Sequence, residues 1–225
     1  MKNFFRLLEF LKTTLIYLVF PPMCPICREI ADERDTLCES CREKIFNPNE
    51  KIKLPANIDG VFRLTKYRGG TQKLLGKMKF ENNLKVLPAL KKILDLTSAR
   101  PEFKNFLAQI DAATFVPLHE KRFRERGYNQ TELLFRDKLE EFKIPVENFL
   151  IRKKATPKLF DLNPVERKKV LRGAFFPAGD FDLSGKKILL ADDIYTTGST
   201  ASECAGVLKK IGAAKVYVIA FASDS

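Results

Sequence analysis

Residues 186–221 read KKILLADDIYTTGSTASECAGVLKKIGAAKVYVIAF, and this stretch constrains the fold more than any other. An apolar run ends in two acids, a hydroxyl-rich loop follows, and a helix expected over Ser199 to Lys210 leads into a second apolar run. The same alternation begins at Asp111, with a strand in ATFVPLH and a helix from about Asn129 to Phe142. Apolar strands separated by helices of this length pair in parallel and are buried on both faces. The fold class is therefore α/β, a parallel sheet flanked by helices. Upstream, IDGVFRLTKYRGGTQKLLGKMKF suggests a short strand, a turn at Gly69-Gly70 and a helix from about Thr71, followed by a helix from Leu84 to about Leu96. The basic connection from about Arg152 to Asp180 is long for a compact domain, and such loops commonly carry function.

Asp192 and Asp193 leave the strand Ile188–Ala191 at its carboxyl end, the edge where open α/β sheets place ligands. Thr196, Thr197, Gly198, Ser199 and Thr200 follow at the start of a helix. Unpaired backbone N–H groups, hydroxyls and the positive helix end favour a phosphate dianion there. Gly198 permits a close backbone approach and an unusual φ. The neighbouring carboxylates suit vicinal sugar hydroxyls, directly or through hydrated Mg²⁺. Together these features describe a receptor for ribose 5-phosphate. A helix N-cap cluster with incidental acids is the competing reading, but it leaves the adjacent pair unexplained. ILLADD alone also fits the acidic strand end of a receiver domain, which lacks the hydroxyl-glycine loop. No G-x-x-x-x-G-K-[ST] occurs, which removes the usual nucleoside triphosphatase route.

Four of the five cysteines fall in CPICREIADERDTLCESC, as Cys24, Cys27, Cys38 and Cys41. Two C-x-x-C turns at short separation complete a tetrahedral thiolate shell, so the segment reads as a structural zinc module with no position left for water. The polar Glu29–Thr36 stretch between them argues against a buried thiol core, and a reducing compartment argues against disulfides. Cys204 reads as a small packed residue, and His119 is the one histidine, so no His-based triad can be built.

The N-terminal segment carries apolar residues at helical spacing from Phe4 to Val19 and ends at Pro21-Pro22. Glu9 and Lys12 interrupt it, leaving a charge-free block well short of the roughly 20 residues a membrane-spanning helix needs. The expected organisation is an amphipathic helix over 1–22 packed on the protein, the zinc module over 23–46, and the α/β domain over 47–225. The expected location is the cytoplasm, with peripheral contact at the inner membrane face as an alternative. The formal net charge is +12, which favours polyanionic partners without choosing among them.

ILLADDIYTTGST resembles the phosphoribosyl-pyrophosphate (PRPP) motif of type I phosphoribosyltransferases. Together with PLHEKRFRERGYNQTELL, YRGGTQKLLGKMKF, VERKKVLRGAF and the four-cysteine module, nearly the whole chain is similar to the ComF family. The resemblance implies a type I phosphoribosyltransferase-like domain that binds PRPP with Mg²⁺. It implies that Asp192 and Asp193 hold the ribose hydroxyls and that Thr196, Thr197, Gly198, Ser199 and Thr200 hold the 5-phosphate. It places the loop Pro117–Arg126 near the pyrophosphate, with Arg122, Arg124 and Arg126 as candidate contacts. Gly127, Asn129, Gln130 and Lys79 match the family blocks without an assigned role. Leu159 and Val170 stand where the family usually has glutamine and asparagine, while Arg167 is kept; these departures bear on acceptor recognition. The resemblance further implies a role in DNA uptake and natural transformation, handling incoming single-stranded DNA with a partner in the competence machinery. The alternative is a Mg²⁺-dependent phosphoribosyltransferase of base or nucleotide metabolism.

Overall fold

The computed structural model of the chain describes residues 5, 12, 14–31, 37–45, 54–157 and 162–224. In chain order, α1 (Glu39–Ile45) precedes β1 (Gly60–Lys66), α2 (Gly69–Phe80), α3 (Leu87–Ser98), α4 (Pro101–Leu107) and β2 (Ala112–Phe115). Then come α5 (Glu120–Arg126), α6 (Gln130–Glu141), β3 (Leu150–Arg152), α7 (Pro164–Leu171) and β4 (Phe175–Pro177). The chain finishes with β5 (Lys187–Tyr195), α8 (Ser199–Lys210) and β6 (Lys215–Ser223).

The apolar runs form the expected sheet, in the order β1-β6-β5-β2 with every pairing parallel. Ile188 to Ala191 are fully buried, which is why this strand shows no polar alternation. Successive strand residues point to opposite faces. Leu189 and Ala191 join Ile219 and Phe221 on the face covered by α2, α3, α4 and α6. Ile188 and Leu190 join Val218 and Ala220 on the face covered by α8, β3, β4 and Leu171 of α7. Each fully buried leucine or isoleucine contributes about 1.5–3 kcal/mol, so these two layers hold the sheet. Gly60 marks a close approach, since a Cβ there would sit 2.9 Å from the Tyr217 ring.

Three segments differ from the sequence reading. The connection from Arg152 to Asp180 is not a plain loop: β3 and β4 pair antiparallel, and α7 lies between them. An Asn163–Glu166 capping box fixes the start of α7, and its turn chemistry is visible only once the helix is known. The helix expected from Leu84 begins as a 3₁₀ turn over Leu84–Val86 and turns α-helical at Leu87, where Pro88 suits the first turn. Much of the expected N-terminal helix, and Leu159, lie outside the described residues. Residues 14–19 are helical, and Leu15, Leu18 and Val19 are exposed, not packed on the protein as expected. Among the described residues no helix is long and apolar enough to cross a membrane.

Candidate functional site

Two polar centres emerge. At the first, the Sγ atoms of Cys24, Cys27, Cys38 and Cys41 all lie within 4.8 Å of one another. A tight turn carries the first pair, closed by Arg28 N–H donating to Cys24 C=O at 2.9 Å, and the second pair opens α1. All four are free thiols. Burial pushes Cys24 up, but backbone N–H groups of Cys27, Cys38 and Ile26 outweigh it and bring it down to about 7. Burial and the three neighbouring sulfurs push Cys41 up. Four converging sulfurs that cannot all ionise alone are the donor set of a structural zinc, which takes thiolates at about 2.3 Å in tetrahedral geometry. The first turn also docks on the α/β domain: Ile26 packs on Gly70, and Lys73 Nζ donates to the Ile26 carbonyl at 2.8 Å.

The second centre is a cavity of about 820 Å³ at the carboxyl ends of the strands. Asp192, Asp193 and all of Thr196–Thr200 line it, as do Lys79, Arg122, Arg126, Arg152 and Arg167. The sequence-predicted loop is thus brought together at one place. Gly198 has φ +70 and caps α8, and the Thr197 and Ser199 hydroxyls lie 2.8 Å apart. No acidic residue occupies the first turn of α8, so nothing there opposes an anion. A Cβ at Gly198 would collide with the Tyr195 hydroxyl, so glycine is required by both φ and space.

The two acids line one cavity from opposite faces of β5. Asp193 points with Leu189 and Ala191 toward α2 and α6, where Lys79 Nζ stands 3.0 Å away and Gln130 Nε2 donates at 2.7 Å. Burial would raise its pKa, but Lys79, Gln130 and Arg126 outweigh burial and hold Asp193 below the usual carboxylate range. Asp192 points with Ile188 and Leu190 toward α8. Burial and the adjacent Asp193 charge push it up to about 8. The pair therefore carries about one negative charge near neutral pH, not two.

The three arginines expected near the loop separate. Arg124 is 71% exposed, pairs with Glu120 and lies outside the cavity lining. Arg126 is used internally, bonding Gln130 Oε1 and donating to the Lys79 carbonyl at 2.8 Å. Arg122 lines the cavity and donates to the Thr156 and Pro157 carbonyls at 3.1 and 3.0 Å. Arg167 reaches from α7 to Thr196 Oγ1 at 2.9 Å, tying the former connection to the loop. Lys79 and Gln130, which had no sequence-based role, are the residues that hold Asp193. Arg152 was not singled out at all, because a basic residue in a basic stretch carries no spacing signal.

Residues 15–52 match the model of a double zinc ribbon domain. That span contains the four cysteines described above. DNA utilization protein YhgH of Escherichia coli K12 is 26% identical over 201 residues, covering 87% of this chain and 88% of that protein. Competence protein F of Haemophilus influenzae is 31% identical over 147 residues, covering 64% of each. A ribose-phosphate pyrophosphokinase of Thermoplasma acidophilum is 42% identical over 57 residues, covering 25% of this chain and 20% of the enzyme. The motifs, the parallel sheet and the four-cysteine centre agree with these matches: the chain is homologous to DNA utilization protein YhgH and competence protein F, with a double zinc ribbon domain at its N-terminus.

Proposed function

We propose that the cavity binds PRPP or a related ribose phosphate, and that the protein uses this ligand while handling incoming single-stranded DNA inside the cell. The observation that carries the ligand is the hydroxyl-glycine loop opening α8, with both acids lining the same cavity. The 5-phosphate sits on Thr196–Thr200, and the ribose hydroxyls face Asp192 and Asp193. Asp193 is already anchored by Lys79 and Gln130, so it acts as a fixed acceptor. Asp192, which burial and the Asp193 charge push up to about 8, faces the ligand largely protonated. Mg²⁺ bound together with PRPP would supply charge neutralisation at its pyrophosphate. The role in DNA handling rests on the named relatives and on a basic neighbourhood of 15 Lys+Arg against 8 Asp+Glu between Lys121 and Gly173.

PRPP titration by calorimetry with Mg²⁺ tests the ligand directly. Binding to the native chain and its loss in Asp192→Ala/Asp193→Ala is the expected pair of results; no heat in the native chain sinks the reading. Single-stranded DNA affinity should fall steeply with salt, because phosphate contacts release counterions. A flat salt response argues against the basic face. The size of the cavity supports a second reading, a phosphoribosyltransferase with an acceptor. About 820 Å³ lies toward the upper end for small-molecule sites and leaves room beside a ribose phosphate. Pyrophosphate release from PRPP across a panel of bases separates turnover from binding.

A further inference from the structure

Helix α2 joins the two polar centres. Its first turns meet the metal module, where Ile26 packs on Gly70 and Lys73 Nζ donates to the Ile26 carbonyl at 2.8 Å. Ala31 and Leu37 of the module and Leu74, Leu75 and Met78 of α2 belong to one buried cluster. The last turn of α2 meets the cavity, where Lys79 Nζ stands 3.0 Å from Asp193. There the Met78 and Lys79 carbonyls accept from Tyr128 Oη at 3.0 Å and from Arg126 at 2.8 Å. The helix is poorly equipped to stand alone. Gly69, Gly70 and Gly76 fall among its 12 residues, and only proline favours a helix less than glycine does. Arg68 at the N-cap makes no side-chain capping bond, and no acid occupies the first turn. An isolated helix of this length is marginal in water even with favourable residues. The start of α2 therefore takes its order from tertiary contact. Ile26 is the side chain seated on it, since a Cβ at Gly70 would sit 2.5 Å from Ile26 Cδ1. Ile26 lies between Cys24 and Cys27, so the turn that presents it is the turn a bound zinc holds.

We propose that Ile26 is a positioning residue for the cavity: through α2 the metal module sets Lys79 against Asp193, so that zinc and ribose phosphate bind cooperatively. This rests on the ribose-phosphate reading and names a regulation of that same site. The coupling is reciprocal: the factor that zinc adds to ligand affinity is the factor that the ligand adds to zinc affinity. It is confined to the module and α2. The buried cluster on the opposite face of the sheet contains no residue of either, so the strands keep their core.

The test uses the zinc-loaded full chain, with hydrogen exchange of α2, calorimetry with ribose 5-phosphate, and competition for zinc by a chelator. Ile26→Ala should keep stoichiometric zinc, because all four cysteines remain. Its α2 amides should exchange about tenfold faster, and ribose 5-phosphate should bind about tenfold more weakly. Lys73→Met removes only the bond to the Ile26 carbonyl and should change both about threefold. Adding Gly70→Ala to Ile26→Ala should recover much of both, because alanine favours the helix and fills the space left by the isoleucine. Damage to the module alone would not be recovered in this way. In the native chain, saturating ribose 5-phosphate should tighten zinc about tenfold, whereas in Ile26→Ala it should leave zinc affinity unchanged. Unchanged α2 exchange in both Ile26→Ala and Lys73→Met overturns the proposal. So does a zinc affinity in the native chain that ignores bound ribose 5-phosphate. Should Ile26→Ala lose its zinc, the Lys73→Met result decides. Should ribose 5-phosphate fail to bind the native chain, the ribose reading fails, and α2 exchange in the same variants still decides whether the module orders the helix.

Discussion

The zinc centre and the cavity are both places where like-charged groups converge, and they are built in opposite ways. At the first, four thiols drawn from Cys24 to Cys41 meet within 4.8 Å and call for a cation. At the second, arginines from α5, β3 and α7 meet a hydroxyl-glycine loop from the β5–α8 junction and call for anions. The metal centre is local: one short segment supplies every donor, and the ion contributes the energy that a module this small cannot obtain by burial. The cavity is global, because α2, α5, α6, β3, α7, β5 and α8 must all be in place before it exists. The difference predicts that losing zinc damages one region, whereas disturbing the sheet end alters ligand chemistry without unfolding the chain.

The largest effect should come from breaking the metal centre. Cys24→Ser with Cys41→Ser should abolish zinc, removing metal-linked folding free energy on the order of 10 kcal/mol from the module. Metal analysis and hydrogen exchange would show zinc lost and the module exposed, with β5 and β6 still protected. Stoichiometric zinc in that variant would contradict the four-sulfur assignment. A smaller effect is expected at the cavity from Lys79→Met, which leaves the 6% exposed Asp193 side chain with Gln130 alone. Removing one partner of a buried pair costs about 3–5 kcal/mol, and Lys79 is a quarter exposed, so about 2 kcal/mol is expected by denaturant titration. No loss would mean that the pair does not anchor Asp193.

A further effect is one of pH. Asp192 titrates at about 8 in the folded chain and at an ordinary 3.8 when unfolded. The folded state therefore binds the extra proton between these values, and stability from this group is lost as pH rises from about 4 to 8. Asp193 runs the other way: its lowered pKa contributes stability above 3.8 that is lost as pH falls through the folded value. Asp192→Asn should flatten the decline between pH 4 and 8 in melting temperature. An unchanged slope would show that Asp192 is already ionised, and the contrast between the two acids would disappear.

Legibility in the sequence follows the same division. The metal centre was readable because its donors are close in sequence and their spacing carries the geometry. The parallel sheet was readable because Ile188–Ala191 and Val216–Ala222 are buried on both faces and so lack polar alternation. The turn at Thr196–Thr200 was readable as a helix start because hydroxyls and a glycine gather there, and Gly198 caps α8. What escaped notice depends on long-range contact. Nothing in MKF says that Lys79 crosses to Asp193, 114 positions away, and nothing in a run of basic residues marks Arg152 as the buried one. Arg124 went the opposite way: it shares a motif with Arg122 and Arg126, but its helix turns it toward solvent.

The most direct test of the central claim is ribose 5-phosphate titrated into the native chain and into Gly198→Ala, read as ligand-induced stabilisation. At about 100 times Kd the native chain should gain about 2.7 kcal/mol. Gly198→Ala forces a side chain into φ +70 and against Tyr195, and should lose that gain while the sheet stays folded. Equal stabilisation of both proteins, or of neither, would contradict the assignment of the loop as the phosphate site.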